Sequence, residues 1–523
     1  MPLFERLALR VVRALDAACH RLFGWRWNPL HQSGALACLL LVVLIATGLY
    51  LLLFYRVGTP WESVQRLQAQ WWLGRWMRGV HRLASDLLVV AAVAHAVRMF
   101  AQARSWGPRT MAWVSGVFLL LFTFVSGWTG FVLVWDRFGG TLALAGARMM
   151  DSLPILSEPL VRVFQGERPV PGAFFFINLF LHIAIPLGMG AGLWLHVARL
   201  ARPVLLPPRG LSVAGVIGML VVVLALPMPL DAKFDPFAIA AAVPLDLSYA
   251  FWLPVADRLP AALAWTGAVL TFTAALLVPM LTRRARAGAW APSVVDPATC
   301  TGCEQCPQDC PWDAITMVPR PEPRGAHSAL VAQVDPSLCV SCGLCAASCA
   351  PMGVGPLHRS GRDQIPRIRA FAREALQVPG QVVAVTCENA APGQLTALAS
   401  RGAVVYPVPC TGNMHSSVVE LALRGGAAGV IIFSCPPRDC RGREGPTWLE
   451  QRIYREREAE LQARVDKRRV ALATMAIGDL PGTLTAFTTF RQRVAGLVPP
   501  GLDPSSEMEV ACEPPAPHVG APT

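Results

Sequence analysis

The chain has 523 residues, of which 54% are hydrophobic and 15% charged. That balance is too apolar for an ordinary soluble protein, yet the long apolar runs stop near residue 282, so the chain is part membrane-embedded and part soluble. Membrane flanks and a basic soluble part account for the formal net charge of +12; with no nucleic-acid motif in the chain, no nucleic-acid partner is expected.

Residues 3 to 23 alternate apolar residues with Arg at helical spacing, which suits an amphipathic surface segment over 1–31 with no cleavable signal before the first span. A membrane domain over 32–285 follows. Six spans are expected, near 34–55, 82–101, 112–134, 175–198, 211–229 and 261–281, each long enough to cross. Arg6, Arg10, Arg13, Arg21 and Arg26 precede the first span, and Arg104, Arg109, Arg199, Arg202, Arg209, Arg283, Arg284 and Arg286 flank the others on the same side. The opposite connections carry Asp231, Asp235, Asp246 and Asp257. The positive-inside rule then places both termini, and everything soluble that follows, in the cytoplasm of a multi-pass protein of the bacterial inner membrane.

Two histidine pairs lie in these apolar runs, His81/His95 and His182/His196, each separated by 14 residues. On a helix this spacing puts both members on one face about 21 Å apart, near opposite sides of a ~30 Å hydrocarbon core. Two such helices facing each other would hold two b haems, one above the other. Intramembrane ionisable side chains are costly and usually functional, and only these four of the ten histidines lie in long apolar runs. Gly34/Gly48 and Gly116/Gly130 repeat the same interval on two further segments, as expected where a porphyrin edge needs a missing side chain.

Further residues extend the pattern: Asn28-Pro29-Leu30, Thr47-Gly48, Arg78, Arg98, Ser126-Gly127-Trp128-Thr129-Gly130, Trp135-Asp136, and Pro186 four residues after His182. Over about residues 28 to 200 the chain thereby resembles the cytochrome b of bc and bf complexes. The resemblance implies that His81 and His182 ligate an outer haem and His95 and His196 an inner one. It also implies Arg78 and Arg98 near haem propionates, a membrane quinone as substrate, and a homodimer as in that family. Interfacial snorkelling is the other reading of the two arginines. Where the family has a Pro-Glu-Trp-Tyr element, this chain has Pro244-Leu-Asp246-Leu-Ser-Tyr249. Asp246 is therefore a candidate catalytic group for proton exchange with quinone, or an ordinary loop carboxylate. Acidic residues in the outer connections, against none in 197–228, favour quinone chemistry on the outer side. A complete bc-type bifurcating cycle is not expected, because the chain has no Rieske-type Cys-His pair.

Twelve of the fifteen cysteines fall between residues 300 and 440. Two runs, Cys300-x2-Cys303-x2-Cys306-x3-Cys310 and Cys339-x2-Cys342-x2-Cys345-x3-Cys349, have the bacterial ferredoxin spacing, in which each fourth cysteine crosses to the other cluster. Cys300, Cys303, Cys306 and Cys349 are thus expected to hold one [4Fe-4S] cluster, and Cys339, Cys342, Cys345 and Cys310 a second, in a module over 293–355. Zinc or disulfides suit neither the paired octet nor a reducing compartment. A linker is expected over 356–378. From 379 to 495 apolar β-branched runs at 382–385, 403–408, 429–433 and 470–475 alternate with helical stretches, predicting a small parallel α/β sheet with Cys387, Cys410 and Cys435 beyond strand ends and Cys440 in the same loop as Cys435. Residues 496–523 read as a flexible tail.

Cys387, the Cys410-Thr-Gly turn and Cys435-Pro-Pro-Arg-Asp-Cys440 resemble the delta (iron-sulfur) subunit family of methyl-viologen-reducing hydrogenases over about 380 to 475. That family links hydrogenases to heterodisulfide reductases, and the resemblance implies a [2Fe-2S] cluster on Cys387, Cys410, Cys435 and Cys440. The family's C-x-W-C element is incomplete, with Ala384 in place of its first cysteine. Buried, unliganded cysteines remain the alternative for this set.

The fold class expected is thus multi-domain: an all-α, cytochrome b-like transmembrane bundle, a ferredoxin-like α+β module and a small parallel α/β domain. The function expected is a membrane electron-transfer subunit that moves electrons between the quinone pool and cytoplasmic redox subunits of heterodisulfide-reductase, hydrogenase or flavoprotein type. The alternative is a non-catalytic conduit and docking subunit of a larger redox complex. The chain has no nucleotide or flavin fingerprint of its own.

Overall fold

The computed structural model describes residues 3–154, 158–164, 169–237, 246–284, 291–320 and 329–497. The tail expected over 496–523 lies outside the described residues beyond Leu497.

Helix α1 (Leu3–Trp27) shows a reversed amphipathicity: Leu3, Phe4, Leu7, Val11, Leu15 and Leu22 point outward, while Glu5, Val12 and Asp16 are buried. An apolar stripe turned away from the protein suits a helix lying in a membrane interface. Then come α2 (Ser33–Phe54), α3 (Pro60–Ala69), α4 (Gly74–Ala101), α5 (Thr110–Val134), α6 (Arg137–Asp151), α7 (Gly172–Val197), α8 (Arg209–Ala225), α9 (Leu253–Arg258) and α10 (Ala261–Arg284). Five of these, α2, α4, α5, α7 and α10, are long and apolar enough to cross a bilayer, and most of their apolar side chains face outward, as lipid contact requires. The expected span over 211–229 corresponds to α8, which at 17 residues is shorter than the others. Its start packs against Trp27, and the turn after it receives hydrogen bonds from Gln68 and Arg78, so it runs between the same two levels as α4. Within the bundle the most extensive helix pairings are α2 with α4 and α5 with α7.

The soluble half starts with two antiparallel pairs, β1 (Ser293–Val295) with β4 (Val354–Pro356) and β2 (Ile315–Pro319) with β3 (Leu330–Val334). Short helices α11 (Gln305–Asp309) and α12 (Leu344–Ala347) carry Cys306 and Cys345. The stretch expected as linker is instead ordered into helix α13 (Gly361–Ala375), opened by a Ser360/Asp363 capping box. Ile368 is fully buried and Phe371 lies against Tyr406, so an amphipathic pattern was hidden among its arginines.

Four parallel strands follow: β5 (Val382–Cys387), β6 (Ala403–Val408), β7 (Gly429–Ser434) and β8 (Val470–Thr474), in spatial order β6-β5-β7-β8. Helices α14 (Pro392–Ser400), α15 (Ser417–Arg424), α16 (Gly445–Tyr454) and α17 (Leu480–Ala495) complete the domain. Strand side chains alternate between faces. Val383, Val385, Val430 and Ile432 pack with α13, α15 and α16, whereas Val382, Ala384, Ile431 and Phe433 pack with α14 and α17. Both faces are covered, which is why the strands read as unbroken apolar runs. The sheet domain and the ferredoxin-like module are fastened by buried polar contacts: Asn413 donates to the carbonyl of Gly343 (2.8 Å), and Arg452 donates to that of Gly412 (2.8 Å) while facing Asp309 at 3.4 Å.

Candidate metal centres

In the bundle, α4 and α7 bring the four histidines together in two facing pairs. The ring centroids of His81 and His182 are 6.2 Å apart, and those of His95 and His196 are 6.3 Å apart. A metal ion at roughly 2 Å from each of two imidazole nitrogens would set the centroids about 6 Å apart, so both pairs fit a bis-imidazole site. The glycines stand at the same levels, each against a histidine ring. A methyl on Gly34 or Gly130 would sit 2.9 Å from Cε1 of His95 or His182, and on Gly116 or Gly48 it would sit 3.1 and 3.2 Å from His196 and His81. Each glycine makes room for an imidazole of the adjacent helix.

The residue before each glycine is a hydroxyl: Ser33, Thr47, Ser115 and Thr129. Each donates its proton to a backbone carbonyl, at Leu30, Val43, Met111 and Val125. The oxygen therefore presents a lone pair to Nδ1 of a histidine, at 3.5 Å (His95), 2.9 Å (His81), 3.2 Å (His196) and 3.3 Å (His182). The carbonyl of Ser126 accepts from His182 Nδ1 as well, at 2.8 Å. With Nδ1 committed as donor, the Nε2 lone pair is left for a metal, the orienting arrangement usual for ligating histidines. Sequence reasoning missed this fourfold hydroxyl-glycine dipeptide, although its 14-residue recurrence was open to view.

Arg98, one turn beyond His95 on α4, does not snorkel to solvent. It is buried, donates to the carbonyl of Leu30 at 2.8 Å, and is ion-paired with Asp439 of the sheet domain. Arg98 Nε and Arg104 Nε are buried without a hydrogen-bond partner, two donors that suit an anionic group at the His95 level. At the other level Arg78 donates to Gln68 and to the carbonyls of Met228 and Pro229, holding the turn after α8. Asp246 has both oxygens engaged, Oδ2 by Arg82 at 2.5 Å and Oδ1 by the backbone N–H groups of Ser248 and Tyr249. It shapes its loop, tying the turn before α9 to Arg82 on α4. The fold also places His31 Nε2 at 2.8 Å from Asp16 Oδ1 of α1, near the His95 level.

The cysteines of the ferredoxin-like module lie in two neighbouring groups. Cys300, Cys303, Cys306 and Cys349 line one small cavity with Val295, Met317 and Val354. Cys310, Cys339, Cys342 and Cys345 gather beside it, with backbone N–H groups of Ala314 and Ser293 on the sulfurs of Cys310 and Cys339 at 3.4 and 3.3 Å. Burial pushes the Cys342 thiol up to about 12 and Cys345 well above its ordinary value. Thiols in such surroundings ionise only with positive charge at hand, which is what bound iron supplies. At the carboxyl edge of the parallel sheet Cys387, Cys435 and Cys440 are buried and pack together with Cys410. A methyl on Gly445 would touch the sulfurs of Cys440 (3.1 Å) and Cys410 (3.3 Å), so a Cβ there would crowd the set. Among the described residues every cysteine is free of disulfides.

Membrane histidine levels joined to three soluble cysteine sets define a class of protein: a membrane-bound redox chain carrier built from haem-type and iron-sulfur-type segments. Comparisons show what each segment is similar to. Residues 26–203 match the cytochrome b/b6/petB family model, 299–353 the 4Fe-4S dicluster domain, and 382–497 the delta subunit of methyl-viologen-reducing hydrogenase. The chain is 29% identical over 186 residues to the menaquinol:cytochrome c reductase cytochrome b subunit of Geobacillus thermodenitrificans, and 26% identical to that of Bacillus subtilis (strain 168). Each match covers 33% of this chain and 83% of the relative. A solved structure titled hyperthermophilic respiratory Complex III aligns with 48% of this chain and 75% of its own, at 15% identity and a TM-score of 0.40. With five apolar helices and cytochrome b relatives, the chain is an integral membrane protein.

Proposed function

We propose that the chain is the membrane electron-transfer subunit of a quinone-linked oxidoreductase, exchanging electrons between a quinone pool and soluble redox partners. The observation that carries this is the pair of histidine levels at 6.2 and 6.3 Å, each histidine fixed through Nδ1. His81 with His182, and His95 with His196, hold one b haem each; two [4Fe-4S] clusters occupy the ferredoxin-like module and a [2Fe-2S] cluster the Cys387 set. Such groups, when bound, take up and release single electrons. The chain's own residues orient the imidazoles, exclude water from them, and present Arg98 and Arg104 donors to negative charge at the inner level. Positive-inside flanks support a cytoplasmic soluble half, and its docking against Arg98 ties it to the His95 side. A homodimer, as in cytochrome b families, completes the proposal.

Quinone is placed at the outer level on the strength of the acidic outer connections, with the His31/Asp16 pair standing at the inner level. The test is haem reduction by a menaquinol analogue in the purified full chain. Wild-type protein is expected to reduce its haems promptly, and Asp246→Asn to slow that step several-fold with both haems retained. No haem reduction by quinol in the wild type would refute the function, and wild-type rates in Asp246→Asn would refute the outer placement.

A further inference from the structure

Along the chain the order is membrane bundle, ferredoxin-like module, sheet domain. In space the order is different. The loop that carries Cys435 and Cys440 is wedged against the bundle: Asp439 pairs with Arg98, accepts from Gln102 Nε2 at 2.8 Å, and its carbonyl receives Arg104 at 3.4 Å, while Arg109 donates to the carbonyl of Arg441 at 3.3 Å. Arg98 lies three residues past His95, about 4.5 Å along the helix axis. On its other side the same loop abuts the second ferredoxin run. A methyl placed on Gly442 would sit 3.7 Å from Cβ of Cys342 and 3.9 Å from the sulfurs of both Cys410 and Cys440, and Arg443 donates to the carbonyl of Pro311, next to Cys310, at 2.8 Å. Burial separates the sets as well. Cys387, Cys435 and Cys440 are buried and Cys410 is half-buried, and among the described cysteines the exposed one is Cys303, at the far end of the series.

Resting on the cluster assignments proposed above, we infer that the Cys387 set is an internal relay between the His95/His196 level and the Cys339 set, and that the Cys300 set, at exposed Cys303, is the port for a soluble partner. Each hop moves one electron from a reduced centre to an oxidised neighbour. At the membrane end quinol gives up two electrons and two protons, or quinone takes them up. At the port the other party is a protein-borne one-electron carrier. The domain that resembles a hydrogenase delta subunit is therefore not where the partner meets this chain, because the loop that carries Cys435 and Cys440 is occupied on one side by the bundle and on the other by the ferredoxin-like module.

The test uses the detergent-purified full chain and a reduced acidic ferredoxin as electron donor, with stopped-flow absorbance for the haems and freeze-quench EPR for the clusters. In Cys435→Ser, the two ferredoxin-type signals are expected to form at the wild-type rate while haem reduction slows at least tenfold. Haem reduction at the wild-type rate despite loss of the third centre would overturn the relay. Glu304→Lys, beside Cys303, is expected to change the bimolecular rate with ferredoxin several-fold at low salt, and Glu458→Lys on the sheet domain to leave it unchanged; the reverse pattern would overturn the port. Should Cys435→Ser fail to assemble, dipolar EPR on the wild type decides. The third centre must lie nearer both to a low-spin haem and to a ferredoxin cluster than these lie to each other, and any other order contradicts the inference. Non-haem iron is counted separately on the wild type: about eight irons per chain instead of about ten would show that the Cys387 set holds no cluster, a failure of the assignment rather than of the wiring.

Discussion

The bundle and the soluble half hold their redox sites by different means. In the bundle the site is a translational repeat: one interval of 14 residues carries histidine, glycine and hydroxyl from one level to the next, so that His81 and His95 have nearly the same surroundings. In the soluble half each cysteine set is assembled from distant segments, Cys349 with Cys300 and Cys387 with Cys440, and the sets are then locked together by buried ions such as Arg452 and Asp309. A repeated helix can lose one level and keep the other. An assembly joined by long-range contacts fails at the joints.

The largest expected effect breaks the repeat at one level. His95→Ala should halve the haem content, measured as pyridine haemochrome per chain, and leave the His81/His182 haem low-spin. Loss of both haems together would mean that the two levels are not independent.

Next comes the joint. Arg452 is 1% exposed and opposite Asp309, also 1% exposed. Arg452→Met should destabilise the soluble half by about 2–3 kcal/mol, short of the full cost of a broken buried pair because Arg457 still faces Asp309. Urea denaturation of the full chain followed by loss of iron-sulfur absorbance measures it; an unchanged midpoint would show that the domains do not depend on this contact.

Glycine substitutions then grade the repeat itself. Alanine at Gly34 or Gly130 meets an imidazole at 2.9 Å, and at Gly48 at 3.2 Å, so the first two should lower haem retention more, by about tenfold where the ring shifts at a cost near 1–3 kcal/mol. Equal retention in all three would mean that the imidazoles adapt freely. The smallest effect is expected from Thr47→Val, which removes the acceptor 2.9 Å from His81 Nδ1. A less electron-rich ligand favours the reduced iron, so the midpoint potential of that haem should rise by about a few tens of millivolts in a spectroelectrochemical titration. A fall would contradict the assigned proton position.

What was legible in the sequence follows the same division. Paired histidines, glycines and ferredoxin spacings are local or periodic, and the sheet's strands read as apolar runs, so these could be placed without coordinates. The crossing of Cys310 and Cys349 was readable because the spacing has a fixed geometric meaning. Other features depend on contacts between segments far apart in the chain. Arg98 carries no mark of its partner 341 residues away, and in the stretch 356–378 the Arg, Pro and Gly content masked the Ser360/Asp363 capping box and the amphipathic pattern that buries Ile368. Asp246 carried no mark of its partner Arg82, which stands 164 residues earlier at the start of the expected second span. The packing of the Cys435/Cys440 loop against the bundle likewise carries no mark in the sequence.

The most direct measurement of the account's central claim is a cofactor count on the full-length chain purified from membranes, by pyridine haemochrome, iron and acid-labile sulfide. The account predicts two b haems and about ten non-haem irons with matching sulfide per chain, the haems low-spin by EPR. One haem or none, or stoichiometric zinc without sulfide in the cysteine sets, would contradict it.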